Sequence, residues 1–360
     1  MRYALLTTGC VQKNASFVRL RELGLELAGL GLDVHFVLDD TPHNRSLAES
    51  LQPATLHIVS GANRTTRLLA RRQMLRAIGV NAVHILNPLF LNTCSVAGLG
   101  IPVVCDWDEL SSAREKRLAR WPATLVVERI ARRLALLNVV ASRCLQQMFQ
   151  SRFGIESLYL PYAAYLPDRP TGPNPFLRPT AVYLGNLVPD FDHDIVIDAW
   201  ELLKRRGVAL DLAIMGGGEL LDSVRRDVAE RDLTNVHIEG YMTGQPMWDR
   251  LRHAHVLLFP IRDNTGNRSR CPSKTFAYMQ AGRPIIANHV GEVAEALGNL
   301  AAYVAATPEA FADAVARIAD RQLPDVAYPL HLHTWSDRAS RLLAALRDHG
   351  IVSQPVAACG

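Results

Sequence analysis

The chain has 360 residues, of which 49% are apolar and 21% charged. This balance is typical of a folded globular protein and excludes a fibrous or disordered one, and the length favours two domains over one. No apolar run approaches the roughly 20 residues of a membrane-spanning helix. The apolar stretch at 3–8 is too short for a signal peptide, so we expect a cytoplasmic protein.

The positive charge is concentrated in the first half of the chain. Residues 1–170 hold 20 Lys and Arg against 13 Asp and Glu, and five arginines lie in a predicted helix over 64–78. This favours an anionic partner, which could be a membrane surface met peripherally, a lipid-linked or acidic glycan acceptor, or a nucleic acid. The alternative is a solvated arginine-rich surface. The six cysteines lack metal-binding spacing, and we expect most of them to be buried thiols of a reducing compartment.

Short apolar runs alternate with helical segments along residues 1–160. The predicted strands cover 3–8, 34–38, 56–59, 82–86, 102–105, 139–141 and 158–160. The predicted helices cover 17–30, 64–78, 128–137 and 143–153. Strands that alternate with helices predict a parallel, doubly wound α/β sheet.

The alternation restarts after a segment with five prolines, which we interpret as a linker. The predicted strands cover 181–184, 210–215, 236–239, 256–260 and 284–287. The predicted helices cover 194–206, 220–231, 247–253, 273–281, 308–320 and 336–348. The expected divisions are a first domain over 1–166, a linker over 167–179, a second domain over 180–335 and a final helical segment over 336–360.

The most informative stretch is 269–287. It predicts a polar loop, a helix over 273–281 that stops at Gly282, and a buried strand. A helix start presents backbone N–H groups and the positive end of the helix dipole. Lys274 in the first turn opposes that dipole, and a phosphate bound there would satisfy Ser273, Lys274 and the amides together.

Pro272-Ser-Lys-Thr-Phe-Ala-Tyr-Met-Gln-Ala-Gly-Arg-Pro-Ile-Ile-Ala resembles the donor-binding segment of GT-B glycosyltransferases, of the large retaining family usually numbered four (glycosyl transferases group 1). The Pro, Lys, Tyr-Met and Gly-x-Pro elements match. The family's two glutamates, one of which usually binds the donor ribose, fall on Ser269 and Ala277. The resemblance implies two Rossmann-like doubly wound α/β domains facing a central cleft. It also implies a nucleotide sugar bound to the second domain and a final helix that crosses back to the first.

Glycines follow two predicted strands of the second domain. Ligands of open α/β sheets bind beyond the carboxyl ends of strands, where glycines let the backbone approach them closely. The resemblance implies that the turn at Gly185 faces the donor phosphates, that 216–219 lines the nucleotide side and that Gly240 and Tyr241 meet the nucleobase. The expected donor-binding residues are Gly185, Asn186, Gly216, Gly217, Gly240, Tyr241, Asn264, Arg268, Pro272, Ser273 and Thr275.

The family often places an Arg or Lys shortly after the first of these glycines, but residues 187–194 contain neither. Arginine forks match phosphate oxygens, so we expect Arg262 or Arg268 to replace the missing cation. Lys274 and Arg262 are the predicted catalytic cations, because they would stabilise the charge that develops on a departing diphosphate.

Asp106-Trp-Asp108 follows a strand of the first domain. An Asp-x-Asp pair can hold a divalent metal, but all donor-like features lie in the second domain. We therefore expect Asp106 and Asp108 to orient an acceptor hydroxyl, with Asp108 in a catalytic role. Asn14, Ser16 and Arg19 lie at the first strand–helix turn, where an acceptor or phosphate could also bind.

These features predict a metal-independent retaining glycosyltransferase that takes a sugar from a nucleoside diphosphate. Two other classes stay open. The departures at Ser269 and Ala277 would suit a GT-B protein that binds nucleotide or glycan without turnover. A sugar-nucleotide epimerase would share the architecture.

Overall fold

The computed structural model describes residues 1–12, 14–114, 119–164 and 171–353. The chain divides into two compact units. Unit 1 comprises Met1–Ala163, Ser269–Cys271 and Thr334–Gly360. Unit 2 comprises Ala164–Arg268 and Pro272–His333. The start of the predicted linker, 167–170, lies outside the described residues.

Unit 1 contains one parallel sheet of seven strands in the order β3-β2-β1-β4-β5-β6-β7. Its strands are β1 (Arg2–Leu6), β2 (Asp33–Asp39), β3 (Thr55–Val59), β4 (Ala82–Leu86), β5 (Val103–Trp107), β6 (Leu137–Val140) and β7 (Leu158–Tyr159). Its helices are α1 (Ala15–Gly29), α2 (Pro42–Arg45), α3 (Arg64–Ile78), α4 (Phe90–Val96), α5 (Ser111–Arg114), α6 (Trp121–Leu134), α7 (Arg143–Phe153) and, at the end of the chain, α15 (Trp335–Asp348).

Unit 2 contains a parallel sheet of six strands in the order β10-β9-β8-β11-β12-β13. Its strands are β8 (Thr180–Leu184), β9 (Asp211–Met215), β10 (Val236–Gly240), β11 (Val256–Phe259), β12 (Ile285–Ala287) and β13 (Ala302–Tyr303). The helices along this part of the chain are α8 (His193–Arg205), α9 (Leu221–Glu230), α10 (Gln245–Arg252), α11 (Thr265–Ser269), α12 (Lys274–Ala281), α13 (Gly291–Leu297) and α14 (Pro308–Ala316).

Each sheet reverses its winding direction at one place, between β1 and β4 in unit 1 and between β8 and β11 in unit 2. Both units are therefore doubly wound, as predicted. In such sheets ligands bind beyond the carboxyl ends of the strands at the reversal. The candidate ligand-binding residues are therefore those that follow β1 and β4 in unit 1, and those that follow β8 and β11 in unit 2.

The helix predicted over 128–137 was placed too late. It begins at Trp121 and ends at Leu134, and Leu137 instead opens β6, whose four residues are all buried. Glu128 lies in the helix interior, where its carboxylate accepts a hydrogen bond of 2.8 Å from the backbone N–H of Ser112. The polar loop predicted before Pro272 also proved partly helical, because it contains α11.

The prediction of buried thiols holds for only some of the cysteines. Cys105 and Cys271 are buried, Cys94 and Cys144 are half-buried, and Cys10 is exposed. Cys359 lies outside the described residues. Local apolar context therefore predicted burial poorly for Cys10, Cys94 and Cys144.

Candidate active site

The glycine turns of unit 2 pack directly on one another. The N–H of Gly185 donates to the carbonyl of Met215 (2.9 Å), and the N–H of Gly216 donates to that of Gly240 (2.8 Å). A Cβ atom on Gly216 would lie 1.8 Å from the carbonyl oxygen of Gly185. A side chain at Gly216 would thus force the β8 and β9 turns apart, so backbone packing alone requires this glycine.

The other residues predicted to face the nucleotide lie around the same turns. Asn186 is exposed just after Gly185. Tyr241, with 54% of its surface exposed, lies next to Gly217, since a Cβ atom added to Gly217 would lie 3.3 Å from that of Tyr241. Gly240 precedes it with a φ of +78°.

Tyr278 anchors helix α12 to two strands through hydrogen bonds. The Tyr278 hydroxyl accepts a hydrogen bond from the N–H of Leu184 (2.8 Å) and donates one to the carbonyl of Leu258 (3.1 Å). These groups belong to β8 and β11, the two strands at the reversal. Tyr278 is buried, and burial raises the pKa of its phenol. The tyrosine of the Tyr-Met element therefore fixes α12 at the carboxyl edge of the sheet.

Lys274 lies over this same place. Its Nζ is 4.6 Å from the ring centroid of Tyr183 on β8 and 4.2 Å from that of Phe259 on β11. Ring faces attract a cation, so the two aromatic residues hold the ammonium group above the reversal point of the sheet. Ser273 occupies the N-cap position of α12 without a capping hydrogen bond from its side chain.

Thr275 and Asn264, both predicted to bind the donor, differ in exposure. Thr275 is buried, and its hydroxyl has no hydrogen-bond partner in the part of the chain that the structure describes. Asn264 is exposed, and its side-chain oxygen accepts a hydrogen bond from the N–H of Asn267 (2.9 Å). Pro272 precedes α12 and its carbonyl accepts a hydrogen bond from the N–H of Thr275 (3.0 Å).

Arg262 bridges the loop after β11 to the start of α8. Its guanidinium donates to Asp192 (2.7 Å) and to Asp194 (3.0 Å). The hydrogen bond with Asp194 is the main reason why the pKa of Arg262 lies above its usual value. Partial burial raises the pKa of Asp194, but Arg262 outweighs this effect and holds it below its usual value. The sequence showed that residues 187–194 lack a cation, but not that Asp192 and Asp194, two of the three aspartates there, bind Arg262.

Arg268 is a more exposed cation than Arg262. It forms an ion pair with Asp263 five residues earlier, with a contact of 2.6 Å, and more than half of each side chain is exposed. Because such surface pairs contribute little, Arg268 can exchange Asp263 for another anion at little cost.

In unit 1, Arg19 and Asp106 are bound to each other instead of being open to a ligand. Both side chains are fully buried and joined by two hydrogen bonds, of 2.7 and 2.9 Å. His84 lies 3.4 Å from the same carboxylate and shares a hydrogen bond of 3.0 Å with Tyr3. Burial by itself raises the pKa of Asp106, but Arg19 and His84 outweigh it and hold that pKa below its usual value. This pair joins α1 to β5 inside unit 1, and its contact with an acceptor stays a prediction.

Asp108 lies two residues after Asp106, and the pKa of its carboxyl group is shifted in the opposite direction. Its carboxylate accepts a hydrogen bond from the Ser16 hydroxyl, and its backbone N–H donates to Asn87 (2.9 Å). Burial and the nearby charge of Glu109 raise the pKa of Asp108 to about 6, although Ser16 and Arg19 act in the opposite direction. A carboxyl group with such a pKa can exchange a proton near neutral pH.

Asn14 caps α1 through its side chain, which accepts a hydrogen bond from the N–H of Ser16 (3.1 Å). Asn14 and Ser16 therefore hold the start of α1 and Asp108 together. The sequence had not indicated Asn87, whose side chain fixes the backbone of Asp108 and whose φ is +57°.

The arginines of helix α3, for which the sequence left an anionic partner or a solvated surface open, are partly buried. Arg71 is fully buried, and its guanidinium binds Asp39 (2.6 Å) and the carbonyl of Thr7 (2.8 Å). Arg72 donates to the carbonyls of Cys94 and Ala97. These two arginines are used inside unit 1, so they are not available to an anionic partner.

Comparison with known proteins gives one match to a family model. Residues 178–321 match the model of the family described as glycosyl transferases group 1. This match covers β8 to α14 and includes the glycine turns, Arg262 and α12. No curated protein matches the chain. Solved structures, in contrast, match it along nearly its whole length.

Sucrose-phosphate synthase from Thermosynechococcus elongatus superposes with a TM-score of 0.72 at 16% identity, covering 97% of this chain and 98% of that one. HepE from Anabaena, in complex with UDP-glucose, superposes with a TM-score of 0.73 at 13% identity, covering 96% and 100%. WaaG, a glycosyltransferase involved in lipopolysaccharide biosynthesis, gives 0.66 at 16%, covering 97% and 96%.

The fold is GT-B. The GT-B fold expected from residues 272–287 is thereby confirmed, and the family-model match over 178–321 supports a glycosyl transfer function. None of the described helices is long and apolar enough to cross a bilayer. The described residues also include no group of three or more His, Cys, Asp or Glu side chains arranged to hold a metal.

Proposed function

We propose that this GT-B protein is a retaining glycosyltransferase that moves a sugar from a nucleoside diphosphate to an acceptor hydroxyl. The observation that carries the proposal is the position of Lys274. Its ammonium group lies over β8 and β11 where the winding reverses, inside the segment that matches the family model. Similar structures of HepE from Anabaena and TarM from S. aureus are complexes with UDP or UDP-glucose, which makes a UDP-sugar the first donor to test.

The charge distribution explains how the site would lower the barrier. Cleavage of the bond between the sugar and the phosphate increases the negative charge on the departing diphosphate. Lys274 and the start of α12 would stabilise that charge more strongly than the charge of the intact donor, which is the condition for catalysis. Arg262 would contribute after exchanging part of its contact with Asp192 and Asp194 for phosphate oxygens.

The resemblance implies that the acceptor attacks the same face of the sugar from which the diphosphate leaves. In this mechanism the departing phosphate takes the proton of the acceptor hydroxyl, so the sugar keeps its anomeric configuration. Asp108, with a pKa raised to about 6, would orient the acceptor hydroxyl through a hydrogen bond. Metal is not required, because the cations of the chain supply the neutralising charge.

The test is a donor screen with purified protein. UDP, GDP, ADP and dTDP sugars are compared by thermal shift, products are identified by mass spectrometry, and the anomeric configuration is read by NMR. We expect one nucleotide to raise the melting temperature by several degrees and its sugar to be transferred with retention. Inversion of the product would refute the retaining mechanism, and no stabilisation by any nucleoside diphosphate would refute the donor site.

A second function, binding without turnover, is favoured by one observation. The positions of the two family glutamates are occupied by Ser269, which is fully buried, and Ala277, which is 3% exposed. The backbone carbonyl of Ser269 accepts a hydrogen bond from the Ser142 hydroxyl (2.7 Å). Stabilisation by a nucleoside diphosphate without transfer or hydrolysis of any donor would establish this alternative.

A further inference from the structure

Exposed hydrophobic side chains of unit 1 are concentrated around two helices. Nine large hydrophobic side chains are exposed among its described residues, and six of these lie on or next to α4 and α6. We call them the α4–α6 patch. Its members are Leu89, Phe90, Trp121, Val126, Ile130 and Leu136. Single exposed apolar residues need no explanation, but a group of this size marks an interaction surface.

The outer face of α6 has an unusual composition for a helix that faces water. Residues 122, 123, 126, 129, 130 and 133 are exposed, and their spacing of three or four places them on one side of the helix. Val126 is 57% exposed and Ile130 is 45% exposed. Its opposite side packs into unit 1 through Ala131, which is fully buried.

The charged residues of α6 are also unevenly divided between its buried and exposed sides. Its single acidic residue, Glu128, is buried and holds the backbone of Ser112. Arg129 and Arg133 are exposed beside Val126 and Ile130, and Arg120 precedes the helix on the surface. The exposed face of α6 is therefore apolar and cationic without a carboxylate.

A membrane surface with anionic head groups matches this combination. Apolar side chains of an interfacial helix enter the boundary between head groups and acyl chains, a tryptophan prefers that boundary, and arginines pair with lipid phosphates. A water-soluble anion would explain the arginines but not the exposed Trp121, Val126 and Ile130. An apolar protein partner would explain those side chains, but it would not explain why the exposed face of α6 carries arginines and no acidic residue.

The patch also reaches the edge of the sheet where the candidate acceptor residues lie. Leu89 and Phe90 follow β4 two and three residues after Asn87, whose side chain binds the backbone of Asp108. Helices α4 and α6 pack against each other. We propose that the α4–α6 patch docks unit 1 on an anionic bilayer surface, in place of helix α3, whose Arg71 and Arg72 are used internally.

The experiment measures binding of the full chain to vesicles by co-sedimentation. Vesicles of phosphatidylcholine alone are compared with vesicles that contain 30 mol% phosphatidylglycerol. We expect binding to the anionic vesicles, a weaker signal at high salt because surface charges are screened, and little binding to neutral vesicles.

Two variants test the apolar and cationic parts separately. Val126→Ser with Ile130→Ser should weaken binding about tenfold or more, because two apolar side chains no longer leave water. Arg129→Gln with Arg133→Gln should weaken it by a similar factor. All four positions are exposed, so melting temperatures should stay unchanged, and the second variant keeps the test valid should the first unfold.

Matched controls carry the same changes elsewhere. Arg64→Gln with Arg76→Gln removes two exposed arginines of α3, and Leu177→Ser with Leu300→Ser removes two exposed leucines of unit 2. Both should bind as the unchanged protein does. Equal losses in the α3 control, unchanged binding of the α6 variants or no binding by the unchanged protein would overturn the proposal. A dimer that the Val126 and Ile130 change dissociates would also overturn it, since a second copy would then cover the patch.

Discussion

Replacing Lys274 separates its structural role from its proposed catalytic one. From the sequence alone, alanine should stabilise the protein slightly, because the ammonium group opposes the dipole of α12 by about 0.3–1 kcal/mol. The structure adds an opposing contribution. Contacts of Nζ with Tyr183 and Phe259 are each worth about 0.5–1 kcal/mol, or more where water is excluded. The two effects nearly cancel, so we expect a loss of at most about 1–2 kcal/mol.

The expected effect on turnover is much larger. Losing one charged contact to the developing diphosphate costs about 2.7–4 kcal/mol, or on the order of a hundred- to a thousandfold in rate. Lys274→Met is the better variant, since methionine keeps an apolar stem between the two rings but carries no charge. Lys204→Met is its control, because Lys204 binds the exposed Asp232 at 2.9 Å, away from the glycine turns.

The assay compares kcat and the melting temperature, with and without the nucleoside diphosphate found in the donor screen. A loss of 1 kcal/mol lowers the melting temperature by about 2–4 °C for domains of 150–250 residues. We expect Lys274→Met to melt within a few degrees of the unchanged protein, to lose most of the stabilisation by ligand, and to be about a hundredfold slower. A variant that keeps both its rate and its stabilisation by ligand would refute the phosphate site.

Four further predictions follow from the same contacts. Arg262→Gln should weaken nucleoside diphosphate binding more than Arg268→Gln, by about tenfold or more as measured by calorimetry; equal effects would remove Arg262 from the site. Tyr278→Phe should destabilise the protein by about 1–3 kcal/mol in urea unfolding, because the buried N–H of Leu184 and carbonyl of Leu258 lose their partner, whereas an unchanged midpoint would contradict the anchoring of α12. EDTA should leave turnover within about twofold, and a loss that magnesium restores would instead favour a metal at Asp106 and Asp108. The pKa of folded Asp108 is about 6, above its unfolded value of about 3.9. The unchanged protein should therefore lose about 2 kcal/mol more stability than Asp108→Asn as the pH rises from 4 to 7; parallel stability curves would show that the carboxyl group is not perturbed.

Local sequence signals determined much of the fold and the donor segment. The alternation of apolar runs and helical segments predicted two doubly wound sheets, because a parallel sheet buries its strands and requires a helix between them. Pro272, Ser273 and Gly282 marked the start and end of α12 within one residue, since caps and glycine stops act over a few neighbouring residues. The turns at Gly185 and Gly216 were also predicted from the sequence, because a close approach of two backbone segments requires glycine.

Tertiary structure alone decided which charged side chains are available. Arginine and aspartate are residue types that also form ligand sites. Here, however, Arg19 binds Asp106, 87 residues away, and Arg71 binds Asp39, 32 residues away. The sequence cannot show this, because the cost of burying a charge depends on a partner that folding brings from elsewhere. The same reason applies to Lys274. The sequence predicted its position in the first turn of α12. The aromatic rings that its ammonium group contacts come from β8 and β11, and only the folded sheet brings these strands side by side.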